Sequence, residues 1–328
     1  MKEKGILLPS QEKQIYIPIG GTQYFVANRQ LGEVAVLLHP EFESGSEIRF
    51  EYQLPIPAEI INICQAVKSI GGRALLVGGC VRDFIMQQEL GLDITSKDYD
   101  IEVSGLEPIT LLRLLGSYAE SISPEGSAFQ VYKTRITVNG QGVDLDISIP
   151  RRDSKQGQGH KGFVVTGDPA MRIDEAGKRR DLTINGLAYD PISKIVYDPC
   201  HGIRDIQDKT LEVIDQETFS EDPLRVLRIM QFAARFDFEI GKKTLALCKE
   251  MVARGDLDSL PKERITEEFK KMFVKGLKPS LGLNFLREIG VIKRYFPELD
   301  ALINLPQNLA WHPEGDVWQH TLQAVDAA

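Results

Sequence analysis

The spacing of apolar residues changes once along this chain, and that change decides what it can fold into. Up to about residue 200, short runs of β-branched and aromatic residues alternate with Gly and Pro punctuation and a few helical stretches. From about Ser220 the apolar residues recur at helical spacing almost to the end. The expected fold is an α/β head, a small β-sheet with flanking helices, followed by an all-α region. A length of 328 residues with 42% hydrophobic content supplies core for two or three domains.

Residues 1–55 read as a small β-rich N-terminal extension. Its runs are Gln14-Ile-Tyr-Ile-Pro, Tyr24-Phe-Val-Ala, Glu33-Val-Ala-Val-Leu-Leu and Glu47-Ile-Arg-Phe-Glu-Tyr. The segment Leu54-Pro-Ile-Pro marks a boundary. A head then spans 56–200, a helical region 201–305, and a short terminal segment 306–328. Within the head, a helix begins near Ala58 with apolar residues at 60, 63, 64, 67 and 70 and stops at Gly71-Gly72. A strand at Ala74–Val77, a Gly78-Gly79 turn, a helix from Val81 and a strand from Tyr99 follow. Further strands are expected at Ala128–Val138 and Val143–Ile149, and Arg151–Gly167 reads as an exposed loop.

The formal charge of −8 excludes a globally basic nucleic-acid binder, so any such contact needs a local surface. The four cysteines form no CxxC pair, which argues against a cysteine metal site or a disulfide framework. The N-terminus has no apolar core of a signal peptide, and nothing approaches a membrane span. The expected location is the cytoplasm.

Lys97-Asp98-Tyr99-Asp100-Ile-Glu-Val enters a strand from a loop, so Asp98 and Asp100 project to the same face. Paired carboxylates facing one cleft suit a hard divalent cation such as Mg²⁺ shared with substrate phosphates. Asp144 and Asp146 alternate on a further strand, and Asp146 is the preferred third carboxylate. Upstream, Leu75-Leu-Val-Gly-Gly-Cys-Val-Arg-Asp sets Gly78 and Gly79 between a strand and a helix, where backbone N–H groups can hold phosphate oxygens and Arg82 adds charge. Alone, that turn reads as an ordinary tight turn.

Taken together, Val77-Gly-Gly-Cys-Val-Arg-Asp and Lys97-Asp-Tyr-Asp resemble motif A of class II tRNA nucleotidyltransferases (CCA-adding enzymes) and the related bacterial poly(A) polymerases. Arg179-Arg-Asp-Leu-Thr-Ile-Asn-Gly-Leu-Ala resembles their motif B, Asp198-Pro-Cys-His-Gly-Ile-Arg-Asp-Ile the entry to the neck, and Glu221-Asp-Pro-Leu-Arg-Val-Leu-Arg-Ile-Met-Gln-Phe their motif D. The resemblance implies a β-sheet head followed by a helical neck and body. It implies catalytic metal ligation by Asp98 and Asp100. It implies nucleotide binding by Gly78, Gly79, Arg82, Arg180, Asp181, Asn185, Asp222, Arg225 and Arg228. The implied activity is addition of C and A to the 3′ end of the tRNA acceptor arm from CTP and ATP. A-only addition, CC-only addition, polyadenylation and a non-catalytic tRNA-binding module stay open as alternatives. Where many family members have another arginine, this chain has Gln231.

Motif D also has a chemistry of its own. Ser220 reads as an N-cap, Pro223 fits a first turn, and Asp222 and Arg225 lie one turn apart as an acceptor and a donor. That pair complements cytosine and adenine, which each present an amino group beside a ring acceptor, and mismatches uracil and guanine. From Arg225 to Arg294, 16 lysines and arginines stand against 9 aspartates and glutamates, a local excess suited to phosphates. The resemblance also ties a loop at Arg151–Phe163 to the switch from C to A addition. Near the end, Trp311-His-Pro-Glu-Gly-Asp-Val-Trp-Gln-His-Thr-Leu resembles the opening of an HD phosphohydrolase domain, with His320 as its first metal-ligand histidine. The sequence stops at Ala328, before the His-Asp pair such a site needs, so 306–328 reads as a truncated start and no phosphohydrolase activity is assigned.

Overall fold

The structure, a computed structural model, describes residues 23–29, 32–38, 48–94, 98–125, 131–155, 163–168 and 170–328. The described chain divides into two compact units. One takes the described residues up to 155 and those within 163–177 and 185–203; the other takes 178–184 and 204–328.

The first unit is a ten-stranded sheet with helices. In chain order it comprises β1 (Gln23–Arg29), β2 (Gly32–Leu38), β3 (Ile48–Glu51), α1 (Ala58–Ser69), β4 (Arg73–Val77), α2 (Gly79–Leu90), β5 (Tyr99–Ser104) and α3 (Pro108–Leu115). It continues with β6 (Ser121–Glu125), β7 (Val131–Val138), β8 (Gln141–Ser148), β9 (Arg151–Lys155), β10 (Phe163–Gly167), α4 (Ile173–Lys178), β11 (Ala188–Asp190) and β12 (Ile195–Asp198). The sheet order is β1-β2-β3-β12-β11-β4-β5-β8-β7-β6. Its neighbours are antiparallel except β5 and β8, which run parallel.

Local chemistry explains these elements. Strand β7 alternates strictly: Tyr132, Thr134, Ile136 and Val138 are buried, whereas Lys133, Arg135 and Thr137 are exposed. Helix α1 buries Ile60, Ile63, Cys64 and Val67 and ends before Gly71, whose φ of 90° favours glycine. Ile70, grouped with that apolar stripe from its spacing, lies past the helix end and is exposed. Leu75 and Val77 of β4 pack with Ala188 and Tyr197, joining two stretches more than a hundred residues apart in the chain.

Of the four N-terminal β runs, three coincide with β1, β2 and β3, and the Gln14 run lies outside the described residues. These strands continue the head sheet, because β3 pairs with β12 from Ile48↔Asp198 to Glu51↔Ile195. The reading of Arg151–Gly167 as a loop needs correction. β9 and β10 form a separate antiparallel ribbon in register Arg151↔Gly167 to Lys155↔Phe163. The polar run Arg151–Lys155 hides a strand because its ladder partner, with Val164, Val165 and Thr166, supplies the β preference. The Gly-rich centre, 156–162, lies outside the described residues.

The second unit is almost all helical. It contains α5 (Gly202–Gln207, which begins in the first unit), β13 (Thr210–Leu211), α6 (Gln216–Ser220), α7 (Leu224–Phe236), β14 (Glu239–Ile240), α8 (Lys242–Arg254), α9 (Lys262–Lys275), α10 (Pro279–Glu288), α11 (Val291–Tyr295), α12 (Pro297–Asp300) and α13 (Val317–Ala327). Helix α7 is its axis, with Val226, Leu227, Ile229, Met230, Phe232, Ala233 and Ala234 buried. Helices α9 and α10 pack on it; a Cβ at Gly282 of α10 would come within 2.9 Å of the Met230 carbonyl oxygen. Helix α13 docks on α10 through fully buried Trp318, whose indole N–H donates to Asn284 Oδ1 at 3.3 Å. No described helix is long and apolar enough to cross a membrane.

Candidate active site

A cleft of about 480 Å³ opens on one face of the head sheet. Asp98, Asp100, Asp144 and Asp146 all line it. Strand alternation puts Asp100 on that face, with Ile101 and Val103 buried on the other. The parallel ladder between β5 and β8 sets Asp100 directly beside Asp146, so these two share a rung and a face. Asp98 precedes β5 and is exposed. The sequence-selected trio therefore lies in one cleft, a wholly oxygen donor set of the kind hard divalent cations take. Asp144 lies two residues from Asp146 on the same face and pairs with Arg135 at 3.0 Å.

The Gly-Gly turn sits next to these carboxylates. Val77, the last residue of β4, is the ladder partner of Asp100, and the turn follows at once. Gly78 has φ 71° and ψ −135°, a conformation that demands glycine. Gly79 differs: an added Cβ there would make only an ordinary 3.6 Å contact with Arg82 Nη2, so the chain's own packing does not require glycine. Helix α2 starts here and directs its first-turn amides out of the helix. Cys80 lies in the same turn, and burial pushes its thiol up to about 12, so it is an inert packing group.

Arg82 is buried rather than presented at the surface. Its Nε and Nη2 contact Asp83 Oδ1 at 2.8 and 2.6 Å, and its Nη1 donates to Asn185 Oδ1 at 2.7 Å. Two residues singled out for nucleotide contact, Arg82 and Asn185, are thus bonded to each other inside the head.

The remaining candidates belong to the second unit. Asp181 is buried; its Oδ2 accepts from Arg228 Nε at 2.6 Å and its Oδ1 from the Leu182 amide at 2.9 Å. That carboxylate holds the Arg228 guanidinium above its ordinary pKa, while burial pulls Arg225 below its own. Arg225 donates to the carbonyl oxygens of Thr218 and Arg179 at 2.7 and 2.8 Å. Asp222 Oδ2 pairs with Arg264 at 3.0 Å, and its Oδ1 accepts from the Leu224 amide at 3.2 Å. Arg180 is half-buried, and Gln231 is buried within α7.

One capping expectation is corrected. Ser220 is the last residue of α6 and donates back to Gln216 O at 2.8 Å; Pro223 occupies the N-cap of α7. The intervening break arises because Pro223 cannot continue α6 as a hydrogen-bond donor.

Sequence reasoning passed over several groups at these places. Asp83 is the partner of Arg82, and only the fold reveals it. Asp198 is buried and accepts from the Gly202 and Ile203 amides at 2.7 and 3.0 Å, which ties the end of β12 to the start of α5. Burial raises its pKa against those two bonds. Lys133, Arg135, Ser121 and Ser123 line the carboxylate cleft from β7 and β6. A basic pair at period two was their available signal. At the far end, His320 has company: the ligand atoms of His312, Glu314 and His320 lie within 4.8 Å of one another. Both rings meet the Glu314 Oε1, at 3.1 and 2.5 Å, and backbone and His320 contacts hold that carboxyl down at about 2.

Comparison with known proteins bears on this geometry. Residues 74–212 match the model described as "Poly A polymerase head domain", and 237–303 match "Probable RNA and SrmB- binding site of polymerase A". The Multifunctional CCA protein of Methylobacillus flagellatus is 36% identical over 257 residues, which cover 78% of this chain and 57% of that protein. The chain thus spans a little over half the length of the curated relatives it matches. Among solved structures, the CCA-adding enzyme of Bacillus stearothermophilus in complex with CTP aligns with TM-score 0.57 and 26% identity, covering 71% of this chain and 52% of that one. The CCA-adding enzyme of Thermotoga maritima complexed with tRNA shares the fold at TM-score 0.59 and 24% identity, over 79% and 59% of the two chains.

Proposed function

This chain belongs to the tRNA nucleotidyltransferase and poly(A) polymerase family, and we propose that it adds C and A to tRNA 3′ ends from CTP and ATP. The observation that carries the proposal is the shared rung of Asp100 and Asp146, with Asp98 lining the same cleft. The family uses divalent metals. Here Asp98 and Asp100, assisted by Asp146, would hold Mg²⁺, since three carboxylates offer only oxygen donors. When bound, such ions lower the pKa of a 3′-hydroxyl and offset charge on phosphate oxygens.

The chain's own groups do the rest. The turn at Gly78 and Gly79 presents backbone amides at the N-terminus of α2, where the helix dipole favours a triphosphate. Arg82, clamped by Asp83 and Asn185, anchors that helix start and adds positive charge beside the phosphate site. Asp222 and Arg225 supply the acceptor and donor for the edge shared by cytosine and adenine. Uracil and guanine reverse that edge and leave groups unpaired, at about 1–3 kcal/mol for each. Arg228, held by Asp181, and Arg180 add positive charge to the same unit. The exposed Lys262, Lys270 and Lys275 of α9 belong to the basic excess proposed to track the tRNA backbone.

The experiment offers the purified protein tRNA ending before C74, after C74 or after C75, supplies each NTP singly, and sequences the products. C is expected on the first two and A on the third. Binding of tRNA with no incorporation would leave a non-catalytic module; runs of A would make it a poly(A) polymerase. Replacing 154–162, from the end of β9 to just before β10 in the sequence, with a short Gly-Ser bridge is expected to spare C addition and remove terminal A.

A further inference from the structure

The carboxylates are only half of the open row across this sheet. Reading the ladders outward, Asp100 stands opposite Asp146, Asp146 opposite Lys133, and Lys133 opposite Ser123. A second row runs parallel to it, with Asp144 opposite Arg135 and Arg135 opposite Ser121. Directly opposed residues share a face, so each row passes from carboxylate to cation to hydroxyl. Strands lie about 4.8 Å apart, which places Lys133 one such step beyond Asp146 and Ser123 one step further. Lys133 and Ser123 are both exposed, and all these groups line the same cleft.

We propose that Lys133, with Ser123 beside it, binds a phosphate group of a reactant, extending the site across the sheet from the metal-binding carboxylates. The inference rests on the nucleotidyltransferase reading. The order of charges supports it. A phosphate held by a cation at Asp100 and Asp146 would have an ammonium one strand away and a hydroxyl donor two strands away, lining the same cleft. A lysine suits this place because its three donors swing about a flexible stem as a phosphate arrives and leaves. The second row is adaptable in the same way. Arg135 and Asp144 are both exposed, and an exposed pair of this kind is weak enough for an incoming phosphate to displace. Had the face served only to balance its acidic groups, hydroxyls at the far end of both rows would have no part in it.

Two phosphates have the required chemistry: the β,γ-phosphates of the incoming nucleotide and the last phosphodiester of the acceptor strand. The test uses the full chain and separates them. Initial rates are measured with CTP varied at saturating tRNA, and with tRNA varied at saturating CTP, for the parent, Lys133→Gln, Lys133→Arg and Ser123→Ala. Lys133→Gln is expected to raise one KM about tenfold, Lys133→Arg to restore most of it, and Ser123→Ala to raise the same KM about threefold. A rise confined to CTP identifies the triphosphate; one confined to tRNA identifies the acceptor strand. Calorimetric titration with tripolyphosphate and with tRNA, in Mg²⁺, repeats the comparison without turnover. If the parent incorporates nothing, the proposed activity has failed, and the titrations still decide whether Lys133 holds phosphate. Unchanged KM and unchanged affinity for both ligands in Lys133→Gln would overturn the inference. So would a defect that arginine does not rescue, or a lowered melting temperature with no change in affinity.

Discussion

On the open face of the head sheet, Asp98, Asp100 and Asp146 gather round one cleft, whereas in the helical unit the buried carboxylates stand against cations: Asp181 against Arg228, and Glu268 against Lys271. The contrast separates two uses of charge. A buried carboxylate with a cation partner fixes a side chain in place, and removing one partner leaves the other desolvated and alone. Carboxylates gathered round an open cleft do not stabilise one another, and in the proposed function they are where a divalent cation would act.

The sharpest way to break this comparison is at Asp98 or Asp100. Changing either to Ala is expected to lower nucleotide incorporation by about 10³-fold or more, about 4 kcal/mol of barrier. Affinity for tRNA and the melting temperature should stay near the parent's, because Asp98 is exposed and Asp100 is only half-buried. Normal turnover in Mg²⁺ would remove both residues from the metal site.

Asp181→Ala tests the opposite half. It strands the Arg228 guanidinium, and the expected cost is about 1–3 kcal/mol in chemical unfolding, discounted because the Arg228 side chain keeps 35% of its exposure. Asp181→Asn should cost less, since it keeps an acceptor for Arg228. Equal stability of Asp181→Ala and the parent would show that the pair is not structural.

Asp222 and Arg225 stand between the two kinds. Their bonds to Arg264, Thr218 and Arg179 are intramolecular, and recognition is the role proposed for their edge chemistry. Single-nucleotide assays of Asp222→Ala and Arg225→Ala are expected to narrow the preference for CTP and ATP over UTP and GTP about tenfold, as loss of one paired group of 1–2 kcal/mol predicts. A uniform loss for all four nucleotides would make the pair structural only.

The smallest effect is expected at Asp144. Its pair with Arg135 is solvent-exposed on both sides, so Asp144→Ala should change stability by less than about 1 kcal/mol in thermal unfolding. A larger change would mean that the carboxylate face contributes to folding after all.

Much of this was open to reading before any coordinates. Period two in β7 and β8, the helical spacing of α1 and α7, and the same-face projection of Asp98 and Asp100 follow from the geometry of one backbone segment. Local physics also has its failures. Ser220 was an attractive cap by type and lost that place to Pro223, and Arg151–Lys155 looked like loop until β10 paired with it. Both depend on neighbours that composition does not announce.

The sequence by itself determined the order of the elements, the division between a sheet and a helical region, and which residue types carry the chemistry, because side-chain direction repeats along a single strand or helix. Only the tertiary structure decided who stands beside whom. Asp146 meets Asp100 across a parallel ladder 46 positions away in the chain, and Arg82 meets Asn185 across 103. Lys133 joins the carboxylate face through the register of β7 on β8. Register between distant strands is set by packing over the whole sheet, where a slip of one residue would turn Asp146 and Lys133 to the buried side, and no stretch of sequence contains that choice.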